Sequence, residues 1–138
     1  MKDVYSLIQK YETAGDFTHA VVTDEMLKQS ETVLGVLIPE EYKYFLKEYG
    51  HGGIEGLEVL GIGKTGTKIF ERETLKFRTY GMPDNLIIVE NCDEWVYCID
   101  TKNEKIVKWM MGMANYVEVF ACFDEFLSSR INDMIENM

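Results

Sequence analysis

Long apolar runs are missing from this sequence. No stretch approaches the roughly 20 consecutive apolar residues that span a bilayer, and Met1-Lys2-Asp3-Val4 leads into a mixed polar segment with no signal-peptide core. The expectation is a soluble, cytoplasmic protein that does not engage a membrane. Cysteine is scarce as well. Cys92, Cys98 and Cys122 are an odd number in a chain without a secretion signal, which argues against a disulfide framework and for buried thiols. No C-x-x-C or H-E-x-x-H spacing occurs, no histidine lies near Cys92 and Cys98, and Asp93-Glu94 lacks the alternating Asp/Asn loop that calcium requires. No metal and no cofactor are expected.

Nucleophiles and their bases are equally thin. The four serines, Ser6, Ser30, Ser128 and Ser129, all fall in predicted helices, and only His19 and His51 could serve as imidazole bases. His51-Gly52-Gly53 resembles the oxyanion loop of some esterases, but there is no G-x-S-x-G elbow to go with it. Gly63-Lys64-Thr65 matches the end of a phosphate-binding loop, yet the first glycine of that motif would fall on Glu58, a carboxylate where backbone amides should wrap a phosphate. A glycine-rich strand end accounts for this segment better. Paired carboxylates for glycosidic chemistry are a spatial matter, and the chain offers no particular pair. An enzyme is not expected.

Positive charge is the remaining shortage: 14 basic side chains against 24 acidic ones leave a net charge of −10. The excess is spread along the chain, so there is no detachable acidic tail. It is sharpest between Arg78 and Lys102, where Asp84, Glu90, Asp93, Glu94 and Asp100 meet no Lys or Arg. A surface of this sign repels nucleic acid directly and attracts basic partners.

What the sequence does contain is an ordered core. Hydrophobic residues make up 46% of the chain and aromatics 12%, well beyond what a disordered chain carries. Helices are expected over 2–14 and 23–35, the second capped by Thr23 and stopped by Gly35. The stretch IPEEYKYFLKEYGHGG (38–53) marks a third. Pro39 suits the first helical position, Glu40 and Glu41 follow it in the first turn, and Tyr42, Phe45, Leu46 and Tyr49 form one apolar stripe before Gly50 leaves left-handed.

After Gly53 the period changes, and one or two short strands with tight bends are expected over 54–62. A helix over about 67–80 follows. LIIVE (86–90), WVYCI (95–99) and KIVKW (105–109), separated by turns of hairpin length, read as an antiparallel meander. A closing amphipathic helix is expected over about 122–136. Trp109-Met110-Met111-Gly112-Met113 reads as core more readily than as an adaptable patch, whereas Trp95, beside Asp93 and Glu94, reads as an exposed anchor in an acidic rim. The whole is a single α+β domain over 1–138, a largely antiparallel sheet packed with N-terminal and C-terminal helices.

Taken in order, IPEEYKYFLKEYGHGGIEGLEVLG (38–61), NLIIVENCDEWVYCIDT (85–101), IVKW (106–109) and FDEFL (123–127) resemble the SUKH superfamily over nearly the whole chain. The resemblance implies an α+β fold with Gly50–Gly53 as a structural corner. For function it implies binding without catalysis: bacterial members are chiefly immunity proteins that neutralise toxins, often nucleases, and fungal relatives regulate cell-wall synthesis. The expected partner is a basic cognate toxin. The surface expected to meet it comprises Glu55, Glu58, Glu90, Asp93, Glu94 and Trp95. A regulatory or scaffold domain is the alternative.

Overall fold

A computed structural model describes residues 3–138. Five helices and a four-stranded sheet follow one another: α1 (Asp3–Tyr11), α2 (Asp24–Leu34), α3 (Glu40–Glu48), a 3-10 turn (Ile54–Gly56), α4 (Ile69–Arg78), β1 (Leu86–Asn91), β2 (Val96–Asp100), β3 (Ile106–Trp109), β4 (Val117–Phe120) and α5 (Phe123–Glu136). The sheet is an antiparallel meander in the order β1-β2-β3-β4. The architecture is α+β, as the sequence predicts.

Local chemistry sets the helix ends. Thr23 accepts the Met26 N–H at 3.2 Å to cap α2, and Gly35, left-handed at φ 72°, closes it. Pro39 stands just outside α3 as its N-cap, in extended geometry, with Glu40 and Glu41 in the first turn. The stripe on α3 is interior: Tyr42, Phe45 and Leu46 are fully buried and Tyr49 nearly so. Helix α1 ends at Tyr11, short of the expected residue 14, and Lys2 lies outside the described residues.

The segment after Gly53 departs from expectation. Instead of strands it forms the 3-10 turn, with Glu55 at φ 52°, followed by isolated bridges Gly52↔Val59 and Ile62↔Lys68. Glycines at 56, 61 and 63 deny it the side chains that a ladder packs. Residues 16–19, 49–53 and 59–62 cross as three backbones. Gly53 N–H reaches Asp16 O, Gly52 and Val59 exchange both bonds, and Ile62 N–H reaches Gly50 O at 2.8 Å. This close crossing is what the glycines permit: a Cβ on Gly61 would stand 1.8 Å from Gly50 O.

That corner then docks on the sheet. Strand β1 carries a bulge between Ile88 and Glu90, and the Val89 carbonyl there accepts the Leu60 N–H at 2.7 Å. The Ile88 N–H finds Thr74 Oγ1 of α4 at 3.1 Å. An edge strand that would otherwise present open hydrogen-bonding groups is thereby covered, and its apolar residues are buried on both faces.

Strand β4 is a second departure. It was not expected, being short and exposed, and it pairs with β3 across a bulge. The Trp109–Met113 cluster divides. Trp109 is core and Met113 packs on it, whereas Met110 and Met111 are exposed at the β3–β4 connection.

Candidate functional site

The acidic residues singled out by the sequence lie on two turns. Glu55 and Glu58 belong to the corner segment and are exposed. Glu58 is held in place: His51, nearly buried, accepts the Gly61 N–H at Nδ1 (2.9 Å), so the proton of the neutral ring sits on Nε2 and is donated to Glu58 Oε2 at 2.8 Å. His51 is therefore a brace between the corner backbone and one surface carboxylate.

Asp93 and Glu94 sit on the β1–β2 turn and are exposed. Asp93 is left-handed at φ 67°, and its N–H is taken by Asn91 Oδ1 at 2.9 Å, a side-chain-closed turn that suits Asn and Asp. The two turns flank one junction, since Leu60, which bonds to Val89, lies two residues beyond Glu58 and next to the strand residue that precedes Glu90. The chain thus brings Glu58 and the strand leading to Asp93 and Glu94 onto adjoining backbones.

Glu90 and Trp95 are placed differently. Glu90 is 6% exposed, and its two carboxylate oxygens receive Arg130 Nε and Nη2 of α5, each at 2.8 Å. Its charge is turned inward and neutralised, which corrects the expectation of Glu90 on an acidic surface. The local sequence holds no cation because the partner comes from 40 residues away. Asp100 is likewise drawn inside, accepting from Asn85 Nδ2 and the Tyr116 hydroxyl at 2.9 Å each. Trp95 is half-buried, with the Lys108 ammonium 4.2 Å from its ring centroid and Tyr97 edge-on to it. One face of the indole is covered by a cation, and the ring is half-buried where the sequence predicts an exposed one.

The other motifs resolve as structure. Gly63-Lys64-Thr65 lies in a tight turn whose Gly63 and Gly66 N–H groups bond to Thr67 O and Gly63 O, leaving those amides none for a phosphate. The three thiols are free. Burial pushes the Cys92 thiol up to about 11, with the Glu90 carboxylate adding to the effect, so it is not a reactive thiolate at neutral pH. Burial likewise raises Cys98. Among the described residues no helix is long and apolar enough to cross a membrane.

Sequence reasoning overlooked a groove between α1, α3 and the start of α5, about 480 Å³ in volume, with Tyr5, Tyr44, Glu40, Glu41 and Asp124 on its walls. The signal was present in the helical spacing of Tyr5 with Gln9 and of Glu40 with Tyr44. It was hidden because the walls come from both ends of the chain.

Against known proteins, a crystal structure of a protein from Pseudomonas syringae pv. tomato superposes with a TM-score of 0.67 at 16% identity, covering 84% of this chain and 89% of that one. At that identity the likeness is one of fold. The model of the SMI1-KNR4 cell-wall family, SUKH_5, matches residues 1–132, and this chain belongs to that family.

Proposed function

We propose that the protein is an immunity protein: a non-catalytic, cytoplasmic binder that neutralises a cognate basic toxin, a nuclease in particular, by stoichiometric contact. The observation that carries the reading is charge on a family scaffold. A net charge of −10 accompanies a fold of the SUKH type, whose bacterial members the sequence resembles. A nuclease holds a polyanion in a cationic cleft, so a carboxylate-bearing surface can occupy that cleft, associate quickly under electrostatic steering and exclude substrate. Glu55, Glu58, Asp93 and Glu94 are exposed, which supports this reading. Glu58 gains rigidity from His51.

The family description, with its reference to the cell wall, favours a second reading, that of a regulatory protein-binding domain. Co-expression with a candidate nuclease toxin separates the two. Rescue of growth and a 1:1 complex that dissociates at high salt support the immunity reading; no rescue, with capture of endogenous cell-wall proteins instead, supports the other.

A further inference from the structure

The sheet has two edges, and the chain closes one of them. Strand β1 is covered by the corner and by α4, through the bonds from Leu60 N–H to Val89 O and from Ile88 N–H to Thr74 Oγ1. Strand β4 ends the order β1-β2-β3-β4 and pairs only with β3. Among the described residues, no backbone N–H or C=O from Tyr116 to Ala121 bonds to anything beyond β3. Such an edge is a template for a further strand. Its sequence, Val117-Glu118-Val119-Phe120, favours the extended form and has no proline to block pairing.

The side chains along this edge are apolar and uncovered. Val117 is 56% exposed and Val119 39%, and Met110 and Met111 stand exposed at the connection that leads into β4. Tyr97, Lys108 and Val117 are cross-strand neighbours, so Val117 shares its face of the sheet with the indole that Lys108 covers. The surroundings are acidic. Asn91 pairs with Val96, Val96 with Trp109 and Lys108 with Val117, which brings the Asp93-Glu94 turn to the end of the sheet where β4 begins. Glu125, exposed in the first turn of α5, lies just past the other end of β4. Asp93, Glu94 and Glu125 have no ion partner among the described residues. The cations nearby are engaged: Lys105 holds Glu118 at 3.2 Å and Lys108 lies on Trp95, while Lys102 and Glu104 of the β2–β3 turn balance each other.

Sign and size select the occupant. A second copy of this chain would bring another net charge of −10 to the same edge, and two four-residue strands bury only a small part of the roughly 1,600 Å² of a stable interface. For a basic protein the strand is one part of a contact that continues over Asp93 and Glu94, and the charges attract. We propose that β4 receives an extended basic segment of the protein partner as a fifth strand. The segment's backbone pairs with Val117–Phe120, its apolar side chains lie against Val117 and Met111, and its Lys or Arg side chains reach Asp93, Glu94 and Glu125. Methionine suits such a contact because its flexible thioether adapts to what it meets. The proposal rests on the reading of the chain as a binder of a basic protein, and it names the edge and the backbone conformation through which that protein docks.

The test uses the full chain, labelled with 15N, and three blocked hexapeptides: alternating Lys-Val, the same peptide with every backbone nitrogen methylated, and alternating Glu-Val. Methylation keeps side chains and charge but removes the donors that a strand needs. Amide shifts with the Lys-Val peptide are expected to cluster at residues 116–121, and amides there should exchange more slowly with deuterium. The Lys-Val peptide should bind at least about tenfold more tightly than its methylated form, and the Glu-Val peptide not at all. Val117→Lys, at an exposed position, should weaken the Lys-Val peptide at least about fivefold with the circular dichroism spectrum unchanged. Leu37→Lys, also exposed but at the end of α2, which packs on α4 beside the other edge, should leave it unchanged. Equal affinity for the methylated peptide, measured on the parent chain alone, overturns the proposal, as do shifts centred away from β4. Val117→Lys that neutralises a nuclease toxin as well as the parent chain does also overturns it while leaving the immunity function intact. An edge that takes the Lys-Val peptide in a chain that protects against no toxin keeps the site and removes the immunity reading.

Discussion

Arg130 of α5 grips Glu90 of β1 through two parallel bonds of 2.8 Å, and the guanidinium lies 5.8 Å from the Tyr97 ring centroid. The pair locks the closing helix onto the bulged edge strand. Glu90 therefore holds the fold together, and substituting it should be read as a stability change. Arg130→Ala leaves the Glu90 carboxylate buried and without its cation, and is expected to cost roughly 3–5 kcal/mol in urea unfolding, whereas Glu90→Ala leaves a half-buried Arg130 that keeps Asp133 and should cost less. An unchanged midpoint would show that the pair is solvated.

The backbone crossing at the corner makes a sharper steric prediction. Gly61→Ala puts a methyl carbon 1.8 Å from Gly50 O, and Gly52→Ala puts one 2.1 Å from Asp16 O at φ 123°. Neither obstacle is a flexible side chain, so losses of about 3 kcal/mol or more are expected for each. Gly66→Ala, with nothing within 4 Å, meets only the strain of its positive φ and should lose about 1 kcal/mol. Thermal unfolding of the three variants checks the ranking.

Thr74 tests the covered edge. Thr74→Val keeps the shape and deletes the acceptor of the buried Ile88 N–H, for an expected loss of about 1–3 kcal/mol. A neutral outcome would mean that the β1 amide is satisfied in another way.

A histidine on the segment that crosses the corner sets a pH dependence. His19 faces acceptors with both ring nitrogens, Glu12 Oε2 at 2.5 Å and Glu48 O at 3.0 Å. The Glu12 hydrogen bond is the main cause of a pKa raised above the usual histidine value. Because the folded value lies above the unfolded one, the stabilisation is fully present below about pH 6.5 and fades as pH rises through the folded pKa. The His19 side chain is 49% exposed, so the effect should be at most about 1 kcal/mol. Unfolding free energies of the parent and His19→Asn chains should differ at pH 6 and converge toward pH 9.

The helices were legible because local spacing specifies them: Thr23, Gly35, Pro39 and the stripe of Tyr42, Phe45, Leu46 and Tyr49 all act within a turn or two of the residues they control. Three strands were legible from β-branched runs. Strand β4 was not, since Val117 and Val119 alternate over only four residues and form a strand by pairing with β3. Long-range partners explain the rest. Glu90 reads as a surface acid until Arg130 arrives, and Trp95 reads as a free indole until Lys108 covers it from the next strand. The groove at Tyr5 joins residues more than 110 positions apart, which no window of sequence displays.

The most direct test of the account is the association rate of the protein with the basic toxin that the proposed function assigns to it, measured by stopped flow from low to high salt. We expect the parent rate to fall at least about tenfold with rising salt, and the chain carrying Glu55→Gln, Glu58→Gln, Asp93→Asn and Glu94→Gln to start slower and depend less on salt. A parent rate indifferent to salt, matched by the substituted chain, would contradict an electrostatic binding surface on these turns.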